Sequence, residues 1–249
     1  MKIMSINAGS SSLKFSLFNM DTKEVLLSGL FERIGIEGSC YTLEYGEYKI
    51  KNEALMETHL DAVKILMDKL LELKIVNSLE EIDGIGHRIV HGGAIYKESV
   101  VVTDKVLDDI IALSDLAPLH NPAHAMCIKA FREVLPNTPM VVVFDTAFHQ
   151  TIEKDRFLYP VPYNWYTDYQ VRKYGAHGTS HRYVAKKLQE ELGRDDLNII
   201  SCHLGNGGSI TAISCGKCVD TSMGFTPNAG IIMGSRSGDI DASLIPFVM

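Results

Sequence analysis

Polar and apolar residues alternate from the start of the chain. Ile3, Met4 and Ile6 open a short apolar run that breaks into a small polar turn, residues 7–12 (Asn-Ala-Gly-Ser-Ser-Ser), after which Leu13, Phe15 and Leu17 occupy every second position. A period of two belongs to half-buried strands, so this opening reads as strand, turn, strand. A third strand is predicted at residues 25–31 and another pair between 40 and 50, with Gly35, Gly38 and Gly46 supplying turns. The first fifty residues are therefore expected to form a meander. From Glu57 the spacing changes: Leu60, Val63, Leu66, Met67, Leu70 and Leu71 recur every three or four residues with Asp61, Lys64, Asp68 and Lys69 between them, the signature of an amphipathic helix.

Residues 82–90 read as a buried strand running into His91-Gly92-Gly93. Thr103 is placed as the N-cap of a helix through Ser114, and Asn121 as the cap of another, with Pro122 at its first position, reaching Leu135. The near-continuous apolar run 140–144 fits a strand covered on both faces, and it delivers Asp145 at its carboxyl end. A Tyr/Pro-rich connection (159–166) leads to a helix at about 180–192 and a strand at 198–202, and Gly205, Gly207 and Gly208 then turn the chain into an alternating strand at 209–213. Both halves thus begin strand, small-residue turn with an asparagine, strand. The pattern predicts an α/β protein with a duplicated plan, divided at residues 1–147 and 148–249. The final apolar stretch, 244–249, has no capping or turn signal, so the sequence is expected to be cut short within its second domain.

Composition narrows the functions. Of 249 residues, 24 are Lys or Arg and 31 Asp or Glu, a formal charge of −7 with no basic block. That argues against nucleic acid as a partner, because phosphate neutralisation needs a basic excess or stripe. No apolar run approaches the ~20 residues of a membrane span. The polar residues Ser5, Asn7 and Ser10 interrupt the N-terminal apolar stretch, which rules out a secretory h-region and places the protein in the cytoplasm. Five scattered cysteines are read as reduced. Cys215-Gly-Lys-Cys218 has metal or redox spacing but lacks the second pair of a zinc ribbon, so structural cysteines are favoured. His177 and His181, four apart, lack the intervening glutamate of a zinc protease.

The turn at residues 7–14 puts successive backbone amides, three hydroxyls and the Lys14 ammonium in one strand-to-strand connection, a combination suited to a phosphate chain. His203-Leu-Gly-Asn-Gly-Gly-Ser209 repeats the idea. A dinucleotide fingerprint is excluded at Gly205-x-Gly207 because the segment that follows alternates like a strand where that motif must open a helix. Taken alone, either turn is as well explained as an ordinary hairpin; two on matching halves favour phosphate binding.

Eight segments occur in order: NAGSSSLK, GHRIVHGG, PLHNPA, VVFDTAFH, HGTSHRYVA, HLGNGGS, DTSMGFTP and GSRSGDID. Together they resemble the acetate kinases of the acetokinase family, acyl kinases within the actin/Hsp70/hexokinase-like superfamily, over essentially the whole chain. The resemblance implies a duplicated ribonuclease H-like fold whose second domain is incomplete here, ATP or ADP and a carboxylate as substrates, Mg2+, and a homodimer. The implied reaction is reversible in-line phosphorylation of acetate to acetyl phosphate. Propionate kinase, or a non-catalytic fragment of such a kinase, is the alternative, and the 249-residue chain by itself is expected to be catalytically silent.

By the same resemblance, Arg88 and Arg236 would grip carboxylate and phosphoryl group, His177 would donate to the phosphoryl in the transition state with His120 near it, and Asp145 would orient the carboxylate or hold Mg2+ through water. Asn7, Ser10, Ser12 and Lys14 match the first phosphate loop, and His203, Asn206 and Gly207 the second, with Asn7 also a metal ligand beside an acidic partner further along. Val90, Leu119 and Pro227 match the pocket for the acyl methyl. At Ala176 many members carry Phe, so extra room beside that methyl is expected.

Overall fold

The computed structural model describes residues 1–249. They divide into two compact units: Met1–Ile89 with Ser99–Val143, and Val90–Glu98 with Phe144–Met249.

In the first unit the meander is β1 (Lys2–Ala8), β2 (Ser12–Asn19), β3 (Glu24–Glu32), β4 (Cys40–Tyr45) and β5 (Tyr48–Glu53). Each pairs antiparallel with the next. Helix α1 (His59–Glu72) follows, with Thr58 accepting from the Asp61 amide and Asp61 answering to the Thr58 amide. This reciprocal capping satisfies two amides that a helix start leaves orphaned. Strand β6 (Gly84–Ile89) lies parallel to β1, and β7 (Val100–Val101) and β8 (Met140–Phe144) complete an eight-stranded sheet ordered β5-β4-β3-β2-β1-β6-β8-β7. Alternation decides the faces: Met4, Ile6, Leu13, Phe15 and Leu17 join Leu66, Leu70 and Phe131 in the core, whereas Ser5, Asn7 and Lys14 turn away from it.

Helices α2 (Asp104–Ala112) and α3 (Asn121–Val134) belong to the same unit. Thr103 caps α2 as predicted, accepting from Val106 N at 3.2 Å. The cap of α3 differs from expectation. His120 occupies the cap position without a side-chain bond, and Asn121, already helical and fully buried, donates through Nδ2 to the Ile110 carbonyl. An asparagine this deep finds its partner on the neighbouring helix, because an unpaired amide there costs more than an absent cap. Strand β8 also departs from the reading: Met140, Val142 and Phe144 are buried but Val141 and Val143 only partly so.

The second unit contains the short helices α4 (Lys154–Phe157) and α5 (Asn164–Tyr169), the latter inside the predicted Tyr/Pro connection. Helix α6 (Gly178–Leu192) precedes β9 (Asn198–Leu204), β10 (Gly208–Ser214) and β11 (Lys217–Thr221), an antiparallel sheet ordered β11-β10-β9. Residues 244–249 carry a short exposed helix, α7 (Leu244–Val248). The segment 90–98 belongs here because Tyr96 stacks on Phe144 at 4.4 Å and Gly92 N donates to Thr146 Oγ1 at 3.0 Å.

Candidate active site

In the first unit the site residues follow from strand register. Asn7 and Lys14 are directly opposed on β1 and β2, so they share the polar face. The parallel pairing of Ile6 with His87 sets Arg88 beside Asn7, and Arg88 Nη1 donates to Asn7 Oδ1 at 3.0 Å. The turn between them is tight: Gly9 N donates to Ser12 O at 2.7 Å, and a Cβ on Gly9 would stand 2.7 Å from Ser12 Oγ. Ser10 is exposed at its tip. Buried His59, from the first turn of α1, donates through Nε2 to the Gly9 carbonyl at 2.8 Å. The sequence reading missed this tether, although a histidine one residue after a helix cap was its visible signal. Leu119, 77% exposed, and exposed His120 lie just ahead of α3.

The second unit gathers more of the expected residues. Buried Asp145 ends β8, and its carbonyl accepts from Gly178 N at 2.9 Å, fixing the start of α6. Just before that helix, His177 is held left-handed at φ 59. For a residue with a β-carbon this conformation stores of the order of 1–3 kcal/mol and persists only where surroundings enforce it. Here Ser209 Oγ bonds His177 Nδ1 at 2.9 Å, and the His203 ring stacks on the His177 ring at 4.1 Å while its own Nδ1 reaches Ser180 Oγ at 2.9 Å. The other ring edge faces the second glycine turn: a Cβ on Gly207 would lie 3.3 Å from His177 Nε2 and 2.7 Å from Arg236 Nη2. An imidazole edge and a guanidinium therefore both border the space left by the missing side chain of Gly207. Arg236 is steadied by Nη1 donating to the Pro227 carbonyl at 2.7 Å, and its loop by Gly234 N donating to the Asn206 carbonyl at 3.1 Å.

Val90 and Ala176 are buried in this unit, Pro227 partly so. Ala176 owes its position to His149, another residue the sequence reading left without a role. His149 Nε2 donates to the Ala176 carbonyl at 2.9 Å, so the neutral ring's Nδ1 accepts from Cys218 Sγ at 3.2 Å. Burial pushes the His149 pKa down to about 4 and the Cys218 thiol up to about 12, so the pair stays neutral. Gly175 (φ 73) leaves His149 room, since a Cβ there would meet its ring at 2.7 Å. Cys218 is thus a packing residue and Cys215 an exposed one at a hairpin turn.

No three His, Cys, Asp or Glu side chains converge as metal ligands, and Asn7 Oδ1, the oxygen assigned to Mg2+, already accepts from Arg88.

The sheet, its crossover helices and the paired strand-turn-strand elements define an α/β protein of the ribonuclease H-like ATPase class, represented in part. Crystal structures of Porphyromonas gingivalis acetate kinase (TM-score 0.95, 42% identity) and of a Francisella tularensis propionate kinase (TM-score 0.93, 44% identity) superpose on 100% and 99% of the chain, which covers 63% of each. The Acetokinase family model matches residues 2–249, and the chain belongs to that family. The acetate kinases of Anoxybacillus flavithermus and a Geobacillus species are 58% and 56% identical over the whole chain, which spans 63% of their length.

Proposed function

We propose that the protein carrying this chain is an acetate kinase, transferring the γ-phosphoryl of ATP to acetate and, in reverse, that of acetyl phosphate to ADP. An acetate oxygen forms the new O–P bond as the bond from phosphorus to the ADP oxygen breaks, with Mg2+ arriving on the nucleotide. Charge spreads over the equatorial oxygens in such a transfer, so the protein's work is positioning and electrostatics. The observation that carries this reading is the meeting of His177 Nε2 and Arg236 Nη2 over Gly207. An imidazole edge and a planar cation bordering one point suit a transferring phosphoryl group and add no bulk.

Arg88 supplies the corresponding cation beside the first turn, where Ser10, Ser12 and Lys14 offer donors, and Asn206 and His203 flank the second. By the family resemblance Asp145 would orient the carboxylate, Val90, Pro227 and Ala176 of the second unit would serve the acyl methyl, and Leu119 and His120 of the first unit would serve the same substrate. The protein acts as a cytoplasmic homodimer, its chain divided into domains at residue 147. Acyl phosphate trapped with hydroxylamine tests this in the full-length protein; its absence with both acetate and propionate refutes the kinase reading. The same assay on the 249-residue chain separates a catalytic segment from one that only binds phosphate.

A propionate kinase is the second reading, favoured by the small side chain of Ala176, which leaves more room than a larger residue there would. The ratio of propionate to acetate turnover decides between them.

A further inference from the structure

Helix and strand periodicity bring four residues of the second unit into one line. His177 and His181 are four apart at the start of α6 and so share a face. Ser201 on β9 and Ser209 on β10 have side chains that reach that face: His177 Nδ1 to Ser209 Oγ is 2.9 Å, Ser209 Oγ to His181 Nε2 is 2.8 Å, and His181 Nδ1 to Ser201 Oγ is 2.9 Å. His181 and Ser209 are fully buried and Ser201 nearly so.

Proton counting leaves two orders. Ser209 has one hydroxyl proton and meets two imidazole nitrogens, so it donates to one ring and accepts from the other. A neutral His181 likewise donates from one nitrogen only. Burial and the neighbouring His149, His177 and His203 push the His181 pKa down to about 4, so it is neutral near pH 7. In one order Ser201 donates to His181 Nδ1, His181 Nε2–H donates to Ser209 Oγ, and Ser209 O–H donates to His177 Nδ1. The His177 proton then lies on Nε2, beside Gly207 and Arg236. The reverse order aims the Nε2 lone pair at that point, where it would repel a phosphoryl oxygen.

We infer that Ser201, His181 and Ser209 form a directional hydrogen-bond relay that fixes His177 as the Nε2–H tautomer, which makes Ser209 and His181 positioning residues for phosphoryl transfer. The relay gives His177 a donor without a positive charge, so it does not depend on protonating a ring stacked against His203. The inference deepens the kinase reading and rests on it, because a phosphoryl oxygen at that point is what selects one of the two orders.

NMR of the 15N-histidine-labelled full-length protein reads the tautomer directly. Wild type is expected to show a protonated Nε2 and an unprotonated Nδ1 at His177, and Ser209→Ala a mixture. Ser209→Ala should lower kcat about 100-fold, as a small misplacement of a reacting group does, with KM for ATP within about twofold, and Ser209→Thr, which keeps the hydroxyl, should recover both kcat and tautomer. Should Ser209→Ala not fold, His181→Phe, which removes both ring nitrogens, is read in the same way. A wild-type His177 protonated on Nδ1, or a variant with unchanged tautomer and kcat, overturns the relay. Lack of acyl phosphate formation by wild type refutes the kinase reading instead, and the NMR result still decides the relay.

Discussion

Gly207 shows how one residue's lack of a side chain can matter as much as another's charge. Its absent Cβ leaves the space that Arg236 Nη2 and His177 Nε2 both border, so Gly207→Ala should push the guanidinium aside and lower kcat while the protein stays folded. On the proposed mechanism, Arg236→Ala and Arg88→Ala each remove a donor to charge that develops in transfer, and loss of one such donor is worth about 3–4 kcal/mol, or 10²–10³ in kcat. Nucleotide KM should change much less, and steady-state kinetics with unchanged kcat in either variant would exclude that arginine from the step. At residue 176 the expectation concerns specificity. If Ala176 lines the acyl pocket, Ala176→Phe should lower the propionate-to-acetate ratio of kcat/KM by roughly 10–200-fold, the effect of one methylene. An unmoved ratio means its role is only to pack beneath His177, where the His149 bond to its carbonyl already holds it.

Elements were legible where the pattern is dictated by burial on one face. The five-stranded meander, the amphipathic α1 and the Thr103 cap follow from period two, period three to four and a threonine before an apolar run. The α3 cap was misread because cap preference is a local signal, whereas Asn121 is claimed by a carbonyl of the preceding helix α2, eleven residues back. Strand β11 was passed over for a similar reason: its five residues alternate weakly, and Cys218 is buried by His149 and not by sequence neighbours. The motifs made the residues of the candidate site visible, but not the groups behind them. His149 and Ser209 stand inside the eight segments and His59 and Ser201 outside them, but all four act through contacts between elements, so spacing along one element does not disclose their roles. His59 yields a test at this scale. Its bond to the Gly9 carbonyl is the tether from α1 to the turn between β1 and β2, so His59→Leu leaves a partly buried acceptor without this donor and should cost about 1 kcal/mol in denaturant stability. KM for ATP should rise with it; a stable variant with unaltered KM would mean that the turn holds its shape unaided.

Across the whole molecule, buried neutral histidines set the response to acid. Burial lowers His87 in the first unit to about 3, and His91, His149 and His181 in the second to about 4 each. Below about pH 6.5 the unfolded chain binds protons at these positions and the folded chain does not, so stability falls as pH drops and recovers as it rises. The loss begins near the unfolded value and is complete near the folded one. Between pH 7 and pH 5 each such group costs of the order of 1–2 kcal/mol. The carboxylates of Asp61, Glu81, Asp196 and Asp241, held below the usual range by their hydrogen bonds, contribute little in that window. With three of the four histidines, the second unit should weaken first, and the chain's single tryptophan, Trp165 in α5, lies within it. Denaturant titrations followed by Trp165 fluorescence should therefore shift to markedly lower midpoints at pH 5, while the far-UV signal, to which the larger sheet of the first unit contributes strongly, should shift less. His149→Gln, which carries no titrating ring, should reduce the fluorescence shift. Coincident, pH-independent transitions by both probes would show that these rings are protonated alike in the folded and unfolded chain, and would remove neutral His181 from the relay behind His177 as well.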